Sequence, residues 1–104
     1  MNKFDSRDTQ DHFEILRKIQ KKPKASQREL ANELGFSLGK LNYCLKALKT
    51  KGLVKIDNFT KKDNKLSYMK YVITPKGIAE RTKLTLDFMK RKMREYDELK
   101  KELD

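Results

Sequence analysis

The chain has 104 residues, 37% of them hydrophobic and 39% charged, with a formal net charge of +11 at pH 7. A single cysteine, Cys44, and a single histidine, His12, exclude an internal disulfide, a cysteine-cluster zinc site and a histidine-rich metal centre, so neither metal nor cofactor is expected. No apolar run approaches the roughly 18 residues that a membrane span needs, and the N-terminus has no signal-peptide core, which predicts a cytoplasmic protein without membrane contact.

Residues 1–8 are polar and read as a flexible N-terminus. Across 9–22, Phe13, Leu16 and Ile19 recur at helical spacing with Ile15 alongside, predicting a first helix that ends before Pro23. Ser26-Gln27-Arg28-Glu29 is a capping box: the serine oxygen can accept from the backbone of Glu29, and Glu29 can reach back. It opens a second helix through Leu34, stopped by Gly35, which tolerates the left-handed conformation. Ser37 caps a third helix, with Leu41, Leu45 and Leu48 on one face and Cys44 beside them; Gly52 ends it. After Gly52 the period changes to two, so Leu53–Ile56 and Tyr68–Ile73 read as strands. The loop between them, Asn58 to Ser67, carries Lys61, Lys62, Asp63, Asn64 and Lys65 at its centre. Thr74-Pro75 then supplies an N-cap followed by proline at the first helical position. Nothing breaks the pattern from there to Asp104, and thirty helical residues would reach about 45 Å, beyond what the rest of the chain can cover.

The expected architecture is mainly α with a small β-hairpin: a domain over 9–74 and a long helix over 75–104. The positive charge is not spread evenly. Residues 37–74 hold nine lysines against two acids, Asp57 and Asp63, whereas 75–104 are nearly balanced. Two helices joined by the short turn Gly35-Phe36-Ser37 make a helix-turn-helix, whose second helix lies in the DNA major groove. A basic hairpin beside such a unit is a wing, able to follow phosphates or enter the minor groove. The predicted fold is therefore a winged helix-turn-helix followed by a long C-terminal helix.

Two stretches carry a resemblance to a known family. Gln27-Arg28-Glu29-Leu30-Ala31, Leu34-Gly35-Phe36-Ser37, Leu41, Leu45-Lys46, Leu48 and Lys51-Gly52-Leu53-Val54 resemble the winged-helix core of MarR-type regulators. Tyr71-Val72-Ile73-Thr74-Pro75-Lys76-Gly77-Ile78 resembles the junction between wing and helix in winged-helix repressors. With Phe88-Met89-Lys90-Arg91-Lys92-Met93 and Glu95-Tyr96, the whole is similar to short MarR-like proteins associated with bacterial exopolysaccharide gene clusters. The resemblance implies a transcription regulator. Full-length members dimerise through both termini and often bind a small effector near the junction; this chain is shorter, which leaves an effector open.

On the third helix, the face away from the leucines presents Leu38, Gly39, Lys40, Asn42, Tyr43 and Lys46 as candidate DNA-binding residues. Lys40 suits guanine O6 and N7, and Asn42 suits adenine N6 and N7. Leu38 has two uses open to it, pressing on a thymine methyl or packing on the first helix or wing. Gly39 permits close backbone approach, and Tyr43 and Lys46 suit phosphates, which fix register without reading sequence. Ser26, Gln27 and Arg28 at the start of the second helix, and Lys61, Lys62, Asn64 and Lys65 in the wing, complete the candidate surface. The wing lysines would serve solubility equally well, and Asn64 would serve the turn.

On the last helix, Ile78, Met89, Met93, Tyr96 and Leu103 share a broad face, with Leu86 to one side and Phe88 and Leu99 to the other. The first turns can pack on the protein's own first helix. The rest of the stripe asks for a second subunit, so Leu86, Met89, Met93, Tyr96, Leu99 and Leu103 are the candidate dimerisation residues, in coiled-coil fashion. The expected partners are a second copy of the chain and double-stranded DNA carrying an inverted repeat. A protein-binding adaptor and an RNA-binding winged helix are the alternatives. The first has no need of concentrated lysines, and the second wants stacking aromatics, for which only Tyr43 is in place. No nucleophile with a base, no glycine-rich phosphate loop and no metal-ligand spacing suggests an enzyme.

Overall fold

The computed structural model describes residues 7–60 and 67–103. Its elements run α1 (Arg7–Lys21), α2 (Gln27–Leu34), α3 (Leu38–Thr50), β1 (Val54–Thr60), β2 (Ser67–Ile73) and α4 (Pro75–Glu102). This is the expected order: helices with one two-stranded antiparallel sheet. The first helix starts at Arg7, two residues before the expected start at residue 9 and so inside the stretch read as a flexible N-terminus, and Asp8 in its first turn complements the helix dipole.

The core is assembled from helical stripes. Ile15, Leu16 and Ile19 of α1 meet Leu30 and Ala31 of α2 and Leu41, Cys44, Leu45 and Leu48 of α3. Leu53 and Val54 close it from the root of the hairpin, and Leu34, Phe36, Tyr71 and Ile73 pack at its margin. Each fully buried leucine or isoleucine contributes about 1.5–3 kcal/mol of transfer free energy. That is why three helices as short as these hold together.

The hairpin is longer than its hydrophobic alternation suggests. Pairing runs from Val54 opposite Ile73 to Thr60 opposite Ser67. Asn58 and Ser67, expected to bound the loop between the strands, belong to the ladder, Ser67 in its last pair. Backbone hydrogen bonds extend an antiparallel pair whether or not its side chains alternate. Lys61, Lys62, Asn64 and Lys65 lie outside the described residues.

A tight junction links the end of α3, the hairpin root and the start of α4. Gly52, at φ 76°, turns the chain out of α3 in a conformation other residues avoid. The Thr74 backbone N–H donates to the Leu53 carbonyl at 3.1 Å. The Thr74 hydroxyl donates to the Gly52 carbonyl at 2.7 Å and accepts from the Gly77 N–H at 3.0 Å. Thr74 is thus both the N-cap of α4 and its tether to α3. From this root α4 runs 28 residues, about 42 Å at 1.5 Å per residue, and the molecule measures 65 × 24 × 22 Å. Gly77 and Leu84 face inward and are buried, and Phe88, the next residue along that face, packs on Phe13 of α1 with ring centroids 5.0 Å apart.

Candidate nucleic-acid interface

The helix-turn-helix is fixed at each of its three critical points by a local hydrogen bond. Ser26 caps α2 by accepting from the Glu29 N–H at 3.1 Å. Gly35 ends α2 in the left-handed region at φ 72°, and the Phe36 N–H donates back to the Ala31 carbonyl at 2.9 Å. Ser37 caps α3 by accepting from the Lys40 N–H at 3.1 Å. With Leu41, Leu45 and Leu48 wholly buried, α3 has little freedom to roll. Its line opposite the core is set by helical spacing as Gly39, Tyr43, Lys46 and Thr50.

All of these are exposed, Tyr43 most conspicuously at 70%. Asn42 and Lys49 flank the line on one side and are exposed as well; Leu38, at the helix start, is 42% exposed. Thr50 and Lys49 were missed by the sequence reading, although the same spacing that singles out Tyr43 and Lys46 reaches Thr50. Of the α2 candidates, Arg28 is exposed, Gln27 is half-buried, and the Ser26 oxygen is engaged in its cap.

Lys40 lies on the other flank, toward α1. Its ammonium pairs with the Asp11 carboxylate at 3.2 Å and sits over the Phe36 ring, 4.1 Å from the centroid. Lys70, counted among the nine lysines of the basic stretch, is buried. Burial pushes its pKa down, against the pull of Glu29. It belongs to the packing of the hairpin, and among the described residues of the basic stretch the exposed lysines are Lys40, Lys46, Lys49, Lys51 and Lys55.

Burial also shifts two titratable groups nearby. It pushes the Cys44 thiol up, so this cysteine behaves as a small core residue. It pushes the half-buried His12 imidazole below 6.5, helped by Lys51 and opposed by Asp8 and Asp11. His12 lies in a cleft of about 280 Å³ with Thr9, Lys51, Lys76 and Glu80. A histidine whose folded pKa is depressed is neutral in the fold and binds protons more readily when unfolded. Its contribution to stability is therefore present above 6.5 and is lost as pH falls through and below that value. The thermal midpoint of the wild type should fall more between pH 7.5 and pH 5 than that of His12→Gln. Equal falls in parallel melts would show that His12 titrates normally.

Along α4, Leu86, Met89, Met93, Tyr96, Leu99 and Leu103 are all exposed, rising to 88% at Leu103. Cover from the chain's own helices reaches further than the stripe suggested. It reaches Phe88, packed on Phe13 and overlain by the Arg91 guanidinium, and Met89 and Met93 border a groove with Phe13 and Arg17 of α1. Among the described residues no helix is long and apolar enough to cross a membrane. No cluster of three or more His, Cys, Asp or Glu among them is placed to hold a metal ion.

Residues 12–55 match the family described as winged helix-turn-helix DNA-binding. This stretch holds α2, the turn and α3, the residues whose caps have just been described. The chain has the winged-helix fold of MarR-type regulators. It superposes on Staphylococcus aureus MarR, solved with salicylate and kanamycin, with a TM-score of 0.67 at 23% identity over 85% of this chain and 57% of that one. It also superposes on S. aureus MepR bound to DNA, with a TM-score of 0.60 at 16% identity over 89% of this chain and 71% of that one. For Streptococcus pneumoniae FabT, also bound to DNA, the values are 0.59 and 20%, over 90% and 65%. The chain thus spans little more than half the length of the MarR structure it matches. No curated protein matches it in sequence.

Proposed function

We propose that the protein is a double-stranded DNA-binding transcription regulator that acts as a homodimer, with α3 in the major groove and the hairpin on the backbone or in the minor groove. The observation that carries this is the exposed line Gly39, Tyr43, Lys46 and Thr50, set opposite a fully buried leucine stripe on a capped helix-turn-helix. Gly39 allows close approach, Tyr43 and Lys46 take phosphates, Asn42 reads adenine and Leu38 presses on a thymine methyl. Lys40 stands at the N-terminal end of α3, where base edges are read. Arg28, with Gln27 and Ser26 at the start of α2, and the wing residues Lys61, Lys62, Asn64 and Lys65 hold the backbone.

The dimer forms along the distal half of α4. Leu86, Met89, Met93, Tyr96 and Leu103 keep the alternating three- and four-residue spacing of a coiled-coil seam, interrupted at Lys100, with Leu99 alongside. In this division, the domain over 9–74 binds DNA and 75–104 is the dimerisation helix. Two-fold symmetry then predicts an inverted-repeat site with half-sites about 34 Å apart. The reading places the protein in the cytoplasm. The association with exopolysaccharide gene clusters rests on the sequence resemblance of the chain as a whole, Phe88–Met93 and Glu95-Tyr96 included.

A titration of fluorescent duplex across a range of salt tests the DNA reading. Log K should fall linearly with log[salt], by about 0.9 for each phosphate neutralised. Lys46→Ala should lower that slope by about one such step and weaken all duplexes alike. Asn42→Ala should weaken a site selected from random duplex by about 1–3 kcal/mol relative to random sequence. A slope near zero for the wild type overturns the function; capture of a protein partner or of single-stranded RNA in its place would point to the adaptor or RNA-binding alternative.

A further inference from the structure

We infer that two copies of the chain join with their α4 helices antiparallel, the distal end of each seated in the groove between α1 and α4 of the other. The inference rests on the homodimer proposed above and adds its orientation and a second contact surface. The groove holds about 440 Å³. Phe13, Phe88 and Met89 give it apolar surface, and Arg17, Arg81 and Lys92 give it positive charge. Arg17 leans on Glu14 at 3.6 Å and Lys92 on Glu95 at 3.4 Å. Both pairs are exposed and hold their ends weakly. Because Phe13 and Arg17 belong to α1, whatever fills the groove also braces the DNA-binding domain against α4.

The occupant that fits is written in the same helix. Residues 75–104 are nearly balanced in charge as a whole, but the two signs are segregated. Residues 81–94 carry six bases and one acid, a net of +5, and residues 95–104 carry five acids and two bases, a net of −3. A lone helix favours the reverse order, acids in its first turn and bases in its last, and α4 has no acid in its first turn. Tyr96, Leu99 and Leu103 are exposed, and helical spacing puts Glu95 and Glu102 on the Leu99 side of that face. An apolar face edged with carboxylates is the counterpart of an apolar groove edged with cations. In a two-fold dimer a patch that touches a second patch is touched by its copy in return, so one chain must carry both halves of the contact, as this one does. Antiparallel helices set the basic half of each copy against the acidic half of the other, twice over. Parallel helices would set +5 beside +5 and −3 beside −3. A single exposed ion pair is worth little, but the choice here lies between opposite and like charges along the whole seam, the means by which paired helices select orientation.

Two measurements on the whole chain test the orientation. In the first, Leu103→Cys carries a nitroxide label, and pulsed electron resonance reads the distance between the two labels of a dimer. Cys44 is buried, and wild type treated alongside gives the blank. With the two-fold axis at Met93, ten residues on either side put the labels about 30 Å apart along the seam, at 1.5 Å per residue. Labels within about 15 Å, as parallel helices roughly 8–10 Å apart would place them, overturn the inference. Labels farther apart than α4 is long, about 42 Å, overturn it as well, because the copies would then meet elsewhere. In the second, Glu95→Lys combined with Glu102→Lys leaves every apolar residue in place, and circular dichroism establishes that the variant is folded. Its dimer dissociation constant, measured by sedimentation, should rise about tenfold or more at low salt, and the difference should shrink as salt is added. An unchanged constant overturns the inference, and so does a lower one, since parallel tails would be relieved of their mutual repulsion. A wild type that is monomeric at micromolar concentration is a separate result, which removes the homodimer reading and this inference with it.

Discussion

Substituting Met89, Met93 and Tyr96 together by glutamate is expected to convert a dimer into a monomer, read by light scattering. The three side chains are all more than half exposed and lie beyond Phe88, whose ring packs on Phe13 of α1. Placing six carboxylates along one two-fold seam opposes association directly, and each apolar side chain removed forfeits about 1.5–3 kcal/mol of burial. The winged core should keep its thermal transition, because none of the three belongs to its buried cluster, Met89 and Met93 only bordering a groove beside Phe13 and Arg17 of α1. Any loss of helical signal should be confined to the turns past Arg91, which no longer have a neighbour. DNA affinity should fall by about a hundredfold or more, the usual scale for replacing two linked binding events by one. If the triple variant remains dimeric, the protomers meet elsewhere. A wild type that is monomeric at micromolar concentration would end the two-half-site scheme altogether.

The second large effect is expected at Gly77. A Cβ built on this residue would lie 2.0 Å from the Leu53 carbonyl oxygen and 2.7 Å from Cγ1 of Ile73. The first obstacle is backbone and cannot rotate away. Gly77→Ala must lift the start of α4 off the hairpin root, straining the Thr74 hydrogen bonds to Gly52, Leu53 and Gly77. A cost of about 3 kcal/mol is expected, equivalent to a thermal midpoint lower by about 10 °C or more for a chain of this size. A midpoint within about 2 °C of wild type would mean that α4 is not seated as described. Gly39→Ala is the natural control. A Cβ there meets only the Ser37 oxygen at 4.0 Å, so stability should hold while DNA contact is crowded.

What could be read from the sequence was what neighbours decide. The caps that Ser26, Gly35, Ser37 and Thr74 form act within three or four residues, so they were legible, although the Thr74 bonds to Gly52 and Leu53 were not, and the leucines of α3 declare their face by spacing alone. The features that escaped notice join distant parts of the chain. Asp11 and Lys40 are 29 positions apart, and nothing local to either announces the other. Lys70 counts as surface charge until the hairpin is folded against the helices and buries it. Phe88 looks like one more apolar residue beside the stripe until Phe13 is found against it. The ladder ran on through Asn58 and Ser67 because strand pairing follows the backbone, whereas the sequence reading followed side-chain alternation.

The rigid root of α4 makes the helix a ruler. Thr74 and Gly77 fix its first turn against the end of α3, and no proline or glycine interrupts it between Gly77 and Leu103. For a dimer closed at Met89, Met93 and Tyr96, the separation of the two reading heads is then written in a count of residues. Each residue added between Leu84 and Leu86 would push the symmetry axis outward by about 1.5 Å and turn it by about 100°. A single insertion would aim the two α3 helices at different faces of the duplex. Seven would nearly restore the phase and demand a more widely spaced operator. Half-site spacing in this architecture is thus a quantity that evolution or an engineer can retune by whole turns of one helix, leaving every DNA-contacting side chain untouched.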